Sequence, residues 1–355
     1  MMAEPLVFVG IPTYNRAASL RRSVELIQAQ DYRNLRILIS DNASDDDTRE
    51  VAEKLAAGDP RIRYVRHERS IGLYGNHNFC IDQADGEFLC LFHDHDEHAP
   101  EMIGEYVRFM ERHPEVGIVC SDWDLIDENG ALVGVRELDV PEVTRGLDYI
   151  ERTIRSGRSS IGIPGAMTRR AALGNTRFDE TAPIGFGDFV VWFAIAEQYD
   201  IGHVRRRLWR WKQQRNSQSA RTIESLIRDY DANVIGYCEA HLTRWPGHDA
   251  IVRRWKAAAG NFVFWALAYE LALHCRRRLG FPPRADARTL FDINDYDLGA
   301  ADVARVRQEL GRHRRGFAQL VAWLGIEASF RLHAPWLLAW STYHHASLRR
   351  ILGLR

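Results

Sequence analysis

The chain has 355 residues, of which 46% are hydrophobic and 27% are charged, and its formal net charge is -1. This length favours two domains, and the composition is typical of a folded soluble protein rather than a disordered or fibrous one. A net charge so close to zero gives no electrostatic reason to expect a nucleic acid partner. The five cysteines are widely spaced within apolar patterns, so they predict reduced core thiols and not a disulfide framework.

Two features bear on location. The first residues lead directly into an apolar run, without a basic segment followed by a long apolar one, so no signal peptide is predicted. The longest apolar stretch, residues 262–273, is too short to cross a bilayer and contains Glu270. The sequence therefore predicts a cytoplasmic protein, with the inner face of the cytoplasmic membrane as an alternative location.

The first hundred residues alternate between apolar runs and helical patterns. The predicted strands are residues 6–11, 36–40, 62–66 and 88–92, and the helical patterns between them cover residues 17–30, 48–57 and 78–84. Repeated strand and helix units predict a parallel sheet with right-handed crossovers.

Polar residues follow three of these strands where each strand ends. They are Thr13, Tyr14 and Asn15, then Asp41 and Asn42, then Asp94 and Asp96. Because ligands bind at the carboxyl ends of parallel strands, these three loops are expected to form one site. Asp94 and Asp96 can both reach one hard divalent cation, although an isolated Asp-x-Asp can also be only a solvated strand end. The loops contain neither a dinucleotide-binding glycine pattern nor a P-loop, so a metal and scattered donors would hold phosphates.

The next hundred residues add a predicted helix over 100–112, strands over 116–121 and 201–208, and a hairpin turn at Asn129-Gly130. Asp188 stands alone as an acid at the start of an apolar helix, where it can be a helix N-cap or a functional carboxylate. Arg210, Lys212 and Arg215 belong to a basic segment that can contact phosphates or form a solvated loop.

From about residue 220 the pattern changes to long helical periodicities, predicted over residues 223–242, 248–278, 300–325 and 335–354. This part of the chain interleaves tryptophan with arginine. Such a pattern is compatible with three roles for these helices: packing beside a bound substrate, forming a homo-oligomer interface, or making peripheral membrane contact.

An ordered set of motifs carries a resemblance to a known family. The motifs are Pro12-Thr13-Tyr14-Asn15, Ser40-Asp41-Asn42-Ala43-Ser44, Gly72 with Asn78, Ala84-Asp85-Gly86-Glu87-Phe88, and Asp94-His95-Asp96. Over residues 6–219 the chain resembles the family 2 glycosyltransferases, inverting enzymes of the GT-A fold. The resemblance implies an α/β, Rossmann-like nucleotide-diphospho-sugar transferase domain over residues 1–220, followed by a helical domain over residues 221–355.

The resemblance also implies an activity. A sugar would pass from a nucleotide-diphosphate donor of the UDP, GDP or dTDP type to a hydroxyl of a glycan or lipid-linked acceptor. The cofactor would be Mn²⁺ or Mg²⁺, and the process would be synthesis of a bacterial cell-surface polysaccharide.

Site residues are carried over by the same resemblance. Asp188 would be the general base, although Gly187 stands where relatives usually have Glu. Asp94 and Asp96 would bind the metal, and Gln213 and Gln214 stand where many relatives have a metal-facing His. The donor-binding residues would be Pro12, Thr13, Tyr14, Asn15, Arg16, Asp41, Asn42, Asn78, Asp94, His95, Arg210 and Lys212. The acceptor-binding residues would be Ser160, Gly162, Arg169 and Trp192.

Two other functions are compatible with parts of the pattern. A sugar nucleotidyltransferase also uses paired aspartates on an α/β sheet, but it needs a glycine-rich loop near the first strand, which Pro12-Thr13-Tyr14-Asn15 does not offer. A catalytically silent nucleotide-sugar-binding or scaffold protein would tolerate the loss of Asp188 and Asp96, and both are present.

Overall fold

The computed structural model describes residues 4–212, 228–278 and 300–313, together with Gln319 and Ile326. The chain divides into two compact units, residues 1–153 with 158–218, and residues 154–157 with 219–355. Gln213, Gln214, Arg215 and the helix predicted over 335–354 lie outside the described residues.

Within the described residues, the first unit is built on a sheet of ten strands. In chain order they are β1 (Val7–Thr13), β2 (Leu35–Asp41), β3 (Ile62–Arg66), β4 (Phe88–Leu91), β5 (Glu97–His98), β6 (Val116–Ile126), β7 (Leu132–Arg136), β8 (Val143–Thr144), β9 (Ala166–Arg169) and β10 (Asp200–Lys212). The order across the sheet is β3-β2-β1-β4-β9-β6-β10-β5, with β7 paired to β6 and β8 paired to β10.

The sheet has a parallel half and a mixed half. Strands β3, β2, β1 and β4 are parallel, as predicted from the repeated strand and helix units. Beyond β4 the sheet is mixed, because β9 runs antiparallel to both β4 and β6. The hairpin predicted at Asn129-Gly130 is confirmed, and it joins β6 to β7.

Helices flank this sheet and separate its strands along the chain. In the first unit they are α1 (Ala17–Gln28), α2 (Thr48–Gly58), α3 (Gly72–Asp82), α4 (Met102–Arg112), α5 (Gly146–Ser156, of which residues 154–156 belong to the second unit), α6 (Arg170–Leu173) and α7 (Gly187–Ala196). Every residue of β1 is buried, as expected for a central strand that is covered on both faces. The carboxyl ends of the parallel strands are therefore held in place by a buried sheet.

The second unit is helical in its described residues. A π-helical turn (Asp231–Ile235) precedes α8 (Gly236–Arg244), and α9 (Asp249–Arg278) and α10 (Ala300–His313) follow. Trp255, Phe264 and Leu271 are among its buried side chains. In the described part of the chain, every helix is too short or too polar to span a bilayer.

Candidate active site

Three loops meet at the carboxyl edge of the parallel strands, as the sequence predicts. The Thr13 hydroxyl at the end of β1 donates to Asp94 Oδ2 at 2.6 Å, which joins the first loop to the loop after β4. The Asn42 backbone N–H donates to the Thr13 carbonyl at 2.9 Å, and the Asn15 backbone N–H donates to Ser44 Oγ at 2.9 Å. The loop after β2 is thereby joined to the loop after β1.

The loop after β1 presents two side chains from a tight turn. Asn15 has a φ of 53°, a left-handed conformation that Asn tolerates better than most residues. Its side-chain oxygen accepts the Asp45 backbone N–H at 2.9 Å, which holds the turn. Tyr14 is 47% exposed, so its ring is available for stacking, while Pro12 is buried.

The residues after β2 that are predicted to bind the sugar donor form hydrogen bonds within the protein. Asp41 is fully buried and accepts the Ser44 N–H at 2.9 Å and the Tyr64 hydroxyl at 2.7 Å. Burial, and then this hydrogen bond to Asp41, raise the pKa of Tyr64, so the phenol remains a donor. Asn42 accepts the Ile71 N–H at 2.7 Å, which holds the loop before α3.

Asn78 is likewise engaged inside the fold. Its side-chain oxygen accepts the Phe178 backbone N–H at 2.9 Å, and its amide donates to the Phe178 carbonyl at 2.9 Å. The amide also lies 3.0 Å from Glu180 Oε1. Asn78 therefore fastens the segment before α7 to α3, and a direct contact with a donor stays a prediction.

A histidine and aspartate cluster follows β4. His93, His95 and Asp96 each offer one ligand atom, and these atoms lie within 4.8 Å of one another. Asp96 is fully buried, which argues against the alternative of a merely solvated strand end. Its Oδ1 accepts the Lys212 backbone N–H at 2.9 Å, and its Oδ2 lies 3.1 Å from His93 Nδ1.

These contacts keep Asp96 ionised despite its burial. Burial alone would raise the pKa of Asp96, but the hydrogen bond from His93, the nearby charge of His95 and the Lys212 N–H together hold it below its usual value. A buried carboxylate that stays ionised in this way is suited to binding a cation.

Asp94 lies beside this cluster and contacts it through His95. Its Oδ1 is 2.9 Å from His95 Nδ1, and its Oδ2 accepts the Thr13 hydroxyl. Burial lowers the pKa of His95, but the hydrogen bond to Asp94 and the charge of Asp96 outweigh it and leave the pKa raised. The charge of Arg16 acts in the opposite direction.

The end of β10 completes this side of the site. Lys212 reaches Asp96 through its backbone, and its side chain is half-buried. The Arg210 side chain is half-exposed and pairs with Glu97 at 3.4 Å, directly across the β10 and β5 ladder. A contact of Arg210 with a diphosphate stays a prediction.

Asp188 is the second residue of α7. The N-cap position belongs to Phe186, which has a φ of 62°, so the alternative interpretation of Asp188 as the N-cap was wrong. The carboxylate is half-buried. Its charge contributes to the raised pKa of Tyr149, after the larger effect of burial on that phenol. Asp188 is therefore partly accessible at the start of a rigid helix.

The four predicted acceptor residues are dispersed. Gly162 packs against the Trp209 ring, and Ser160 is half-buried. Trp192 is 4% exposed and lines an apolar cavity between α7 and the sheet. Arg169 pairs with Phe88 at the start of β4 and donates to the Met110 carbonyl at 2.9 Å. The structure does not bring Arg169 to the loops at the other end of that strand.

Two residues of the site were missed from the sequence. His93 carries a visible signal, since it opens the alternation His93-Asp94-His95-Asp96. Ser23 carries none, because its hydroxyl donates to the Asp96 backbone carbonyl at 3.0 Å only after α1 packs against the loop.

Comparison with known proteins identifies the family of part of the chain. Residues 8–174 match the sequence model of the family described as "Glycosyl transferase family 2". Residues 8–174 belong to the family 2 glycosyltransferases. The match contains β1 to β4 and the three loops at their carboxyl ends.

Curated relatives match parts of the chain. The chain is 40% identical over 94 residues to the GalNAc(5)-diNAcBac-PP-undecaprenol beta-1,3-glucosyltransferase of Campylobacter jejuni, an alignment that covers 26% of this chain and 30% of that protein. It is 30% identical over 159 residues to EpsE of Bacillus subtilis, which covers 43% of this chain and 57% of the relative. The chain therefore spans less than two thirds of either relative.

Solved structures share the fold over most of the chain. S. aureus TarS 1-349 in complex with UDP-GlcNAc has a TM-score of 0.56 at 16% identity, covering 88% of this chain and 93% of that one. The mannosyltransferase PcManGT from Pyrobaculum calidifontis, in complex with GDP-Man and Mn2+, has a TM-score of 0.53 at 15% identity, covering 99% of this chain and 88% of that one. The predicted GT-A fold with C-terminal helices is confirmed.

Proposed function

We propose that this glycosyltransferase moves a sugar, with inversion, from a nucleotide-diphosphate donor to a hydroxyl of a glycan or lipid-linked glycan. The observation that carries the proposal is the meeting of three strand-end loops beside the buried Asp96. The Campylobacter jejuni relative, named for an undecaprenol-linked acceptor, supports the lipid-linked alternative.

The donor would lie along the carboxyl edge of β1, β2 and β4. Tyr14 is exposed enough to stack on the base, and the turn at Asn15 holds it beside the loop after β2. Arg16 follows Asn15 in the loop after β1 and supplies a positive charge on the side where the diphosphate would bind. Asp41 and Asn42 would act mainly by fixing the walls of this pocket, because their side chains are engaged.

Residues of the cluster after β4 fit a divalent cation, since they combine a buried carboxylate with two imidazoles. When bound, such an ion stabilises negative charge on the departing nucleotide diphosphate. Asp96 would hold it, and the Lys212 N–H keeps that carboxylate in one orientation.

Asp188 would remove the proton from the acceptor hydroxyl as that oxygen attacks the anomeric carbon. A half-buried carboxylate at the start of α7 can both meet an acceptor from solvent and be held in place by the helix. General-base catalysis is typically worth about 10²- to 10⁴-fold in rate. Attack opposite the leaving diphosphate inverts the anomeric configuration.

A thermal-shift panel tests donor recognition. The full chain is heated with UDP-, GDP- and dTDP-sugars, each with and without Mn²⁺, and one donor class should raise the melting temperature in a metal-dependent way. Transfer to a lipid-linked or free glycan is then measured with that donor. If no nucleotide sugar stabilises the chain or is consumed by it, the proposed function is wrong and a silent scaffold becomes the better explanation.

A further inference from the structure

We propose that Tyr74 and Asn78, two residues of α3, are positioning residues for Asp188. They hold the segment over residues 178–186, which leads directly into the first turn of α7. The proposal rests on the proposed function only for the role of Asp188 as the general base. The contacts themselves belong to the free chain and can be measured without a donor.

Helix α3 is a fixed support, because Asn76 fastens it to β2. The Asn76 amide donates to the Ser40 backbone carbonyl at 2.9 Å, and its side-chain oxygen accepts the Ser40 hydroxyl at 2.6 Å. Both side chains are buried, which strengthens these hydrogen bonds. Tyr74 and Asn78 are four residues apart, so they share one face of α3, and Asn76 lies on a different face.

Asn78 holds the beginning of the segment. Residues 178–186 contain neither helix nor strand, so their backbone groups depend on turns and side chains for hydrogen bonds. The Asn78 side-chain oxygen accepts the Phe178 N–H, and its amide donates to the Phe178 carbonyl, both at 2.9 Å. The same amide lies 3.0 Å from Glu180 Oε1. The Tyr74 ring stacks on the Phe178 ring, with centroids 5.0 Å apart.

The Tyr74 hydroxyl holds the end of the segment, next to Asp188. It donates to the Ile184 carbonyl at 2.6 Å, and the Gly187 N–H donates to the same carbonyl at 3.4 Å. A Cβ on Gly187 would overlap the Tyr74 oxygen, so the hydroxyl lies directly against the first residue of α7. Phe186 has a φ of 62°, a left-handed conformation that persists only where surrounding contacts fix it.

These contacts bear on Asp188 because a general base must lie within hydrogen-bond reach of the proton that it removes. A misplacement of about 1 Å can lower the rate about 100-fold. Asp188 is in the first turn of α7, so a shift in the start of this helix moves the carboxylate. Loss of the Tyr74 hydroxyl should therefore lower turnover through Asp188 and leave donor binding unchanged.

Kinetics in two backgrounds test this dependence. Tyr74→Phe keeps the stacked ring and removes only the hydroxyl, so turnover should fall about tenfold while KM for the donor stays within about twofold. In an Asp188→Asn background the same substitution should change the residual turnover by less than about twofold, because residues that act together are not additive. The readout is release of the nucleoside diphosphate, with the donor and acceptor that the transfer assay identifies.

Tyr32→Phe is the matched control. The Tyr32 hydroxyl also donates to a backbone carbonyl, that of Pro5, but this contact lies at the amino ends of β1 and β2. Those ends are at the edge of the sheet opposite the three loops. Tyr32→Phe should cost stability and keep turnover within about twofold of the unaltered chain.

Asn78→Asp tests the other positioning residue. It keeps an acceptor for the Phe178 N–H, but it removes the amide donor and brings a second carboxylate against Glu180. Hydrogen exchange of the full chain without ligand should become about tenfold faster in peptides that cover residues 178–188, and turnover should fall. Adding Glu180→Gln should recover part of both, because the new amide can donate to the new carboxylate.

Three results would overturn the inference. They are an equal loss on Tyr74→Phe in both backgrounds, a Tyr74→Phe chain that turns over as Tyr32→Phe does, and unchanged exchange in Asn78→Asp. Melting curves show which variants are folded at the assay temperature, and if Tyr74→Phe is not, Asn78→Asp takes its place in both backgrounds.

Failure of this inference is distinguishable from failure of the proposed function. Normal transfer by Asp188→Asn overturns the assignment of the base, and this inference with it. A strong loss in Asp188→Asn beside an unaffected Tyr74→Phe overturns this inference alone.

Discussion

A substitution of Asp188 distinguishes a structural role of this residue from a catalytic one, because only the catalytic role predicts a loss of turnover. Asp188→Asn keeps the size of the side chain within the first turn of α7, so donor affinity and melting temperature should stay nearly constant. Loss of a general base should lower turnover by about two to four decades. Steady-state kinetics with the donor found in the thermal-shift panel give both the turnover number and KM.

Glu197 offers a matched control for this substitution, because it is a half-buried acid that follows the last residue of the same helix. Glu197→Gln should leave turnover within about twofold of the unaltered chain. Near-normal transfer by Asp188→Asn to an identified acceptor would remove Asp188 from the mechanism and make Glu197 the next acid to test.

At the scale of elements, the start of α7 is packed against α3 through a glycine. A Cβ on Gly187 would overlap the Tyr74 hydroxyl, which donates to the Ile184 carbonyl at 2.6 Å. The Tyr74 ring also stacks on Phe178 at 5.0 Å. This packing gives a local reason for glycine at the position before Asp188.

Gly187→Ala should therefore destabilise the chain by about 1 to 3 kcal/mol, the usual cost of overpacking. Tyr74→Phe removes the closest atom, so the double variant should lose less stability than the sum of the two single variants. Urea unfolding of the four proteins measures this coupling. Additive losses would show that the two residues do not compete for the same space.

The sequence predicts the bounds and the pairing of some strands better than those of others. The strand over residues 62–66 was predicted with its observed bounds, because a local apolar run between turns defines it. Strand β9 was missed as a sheet member, since it has four residues and its antiparallel pairing depends on β4 and β6, far away in the chain.

The site shows the same limit. Local motifs predict the three loops, whereas the burial of Asp96 depends on a backbone contact with Lys212, which is 116 residues away. The position of the Asp94 carboxylate depends on the Thr13 hydroxyl, 81 residues earlier in the chain. The sequence therefore predicts which polar residues lie at the strand ends, but it does not predict their hydrogen-bond partners.

At the scale of the whole molecule, two buried histidines make stability depend on pH. His77 and His98 are almost fully buried, and burial lowers the pKa of each to about 4 from an ordinary 6.5. Between these values the unfolded chain binds protons at both imidazoles and the folded chain does not. The free energy of unfolding therefore falls as the pH falls through this window.

The expected loss between pH 7.5 and pH 4.5 is on the order of 2 to 3 kcal/mol per histidine. Urea unfolding of the full chain with a chelator present, at several pH values, measures it. His77→Leu should reduce the slope, because burial lowers the pKa of His77 and its Nδ1 bonds only to the Leu73 carbonyl of its own helix among the described residues. His113→Gln, a substitution at a partly exposed histidine, serves as the control. A His77→Leu variant with an unchanged slope would show that His77 takes up its proton in the folded chain as readily as in the unfolded chain.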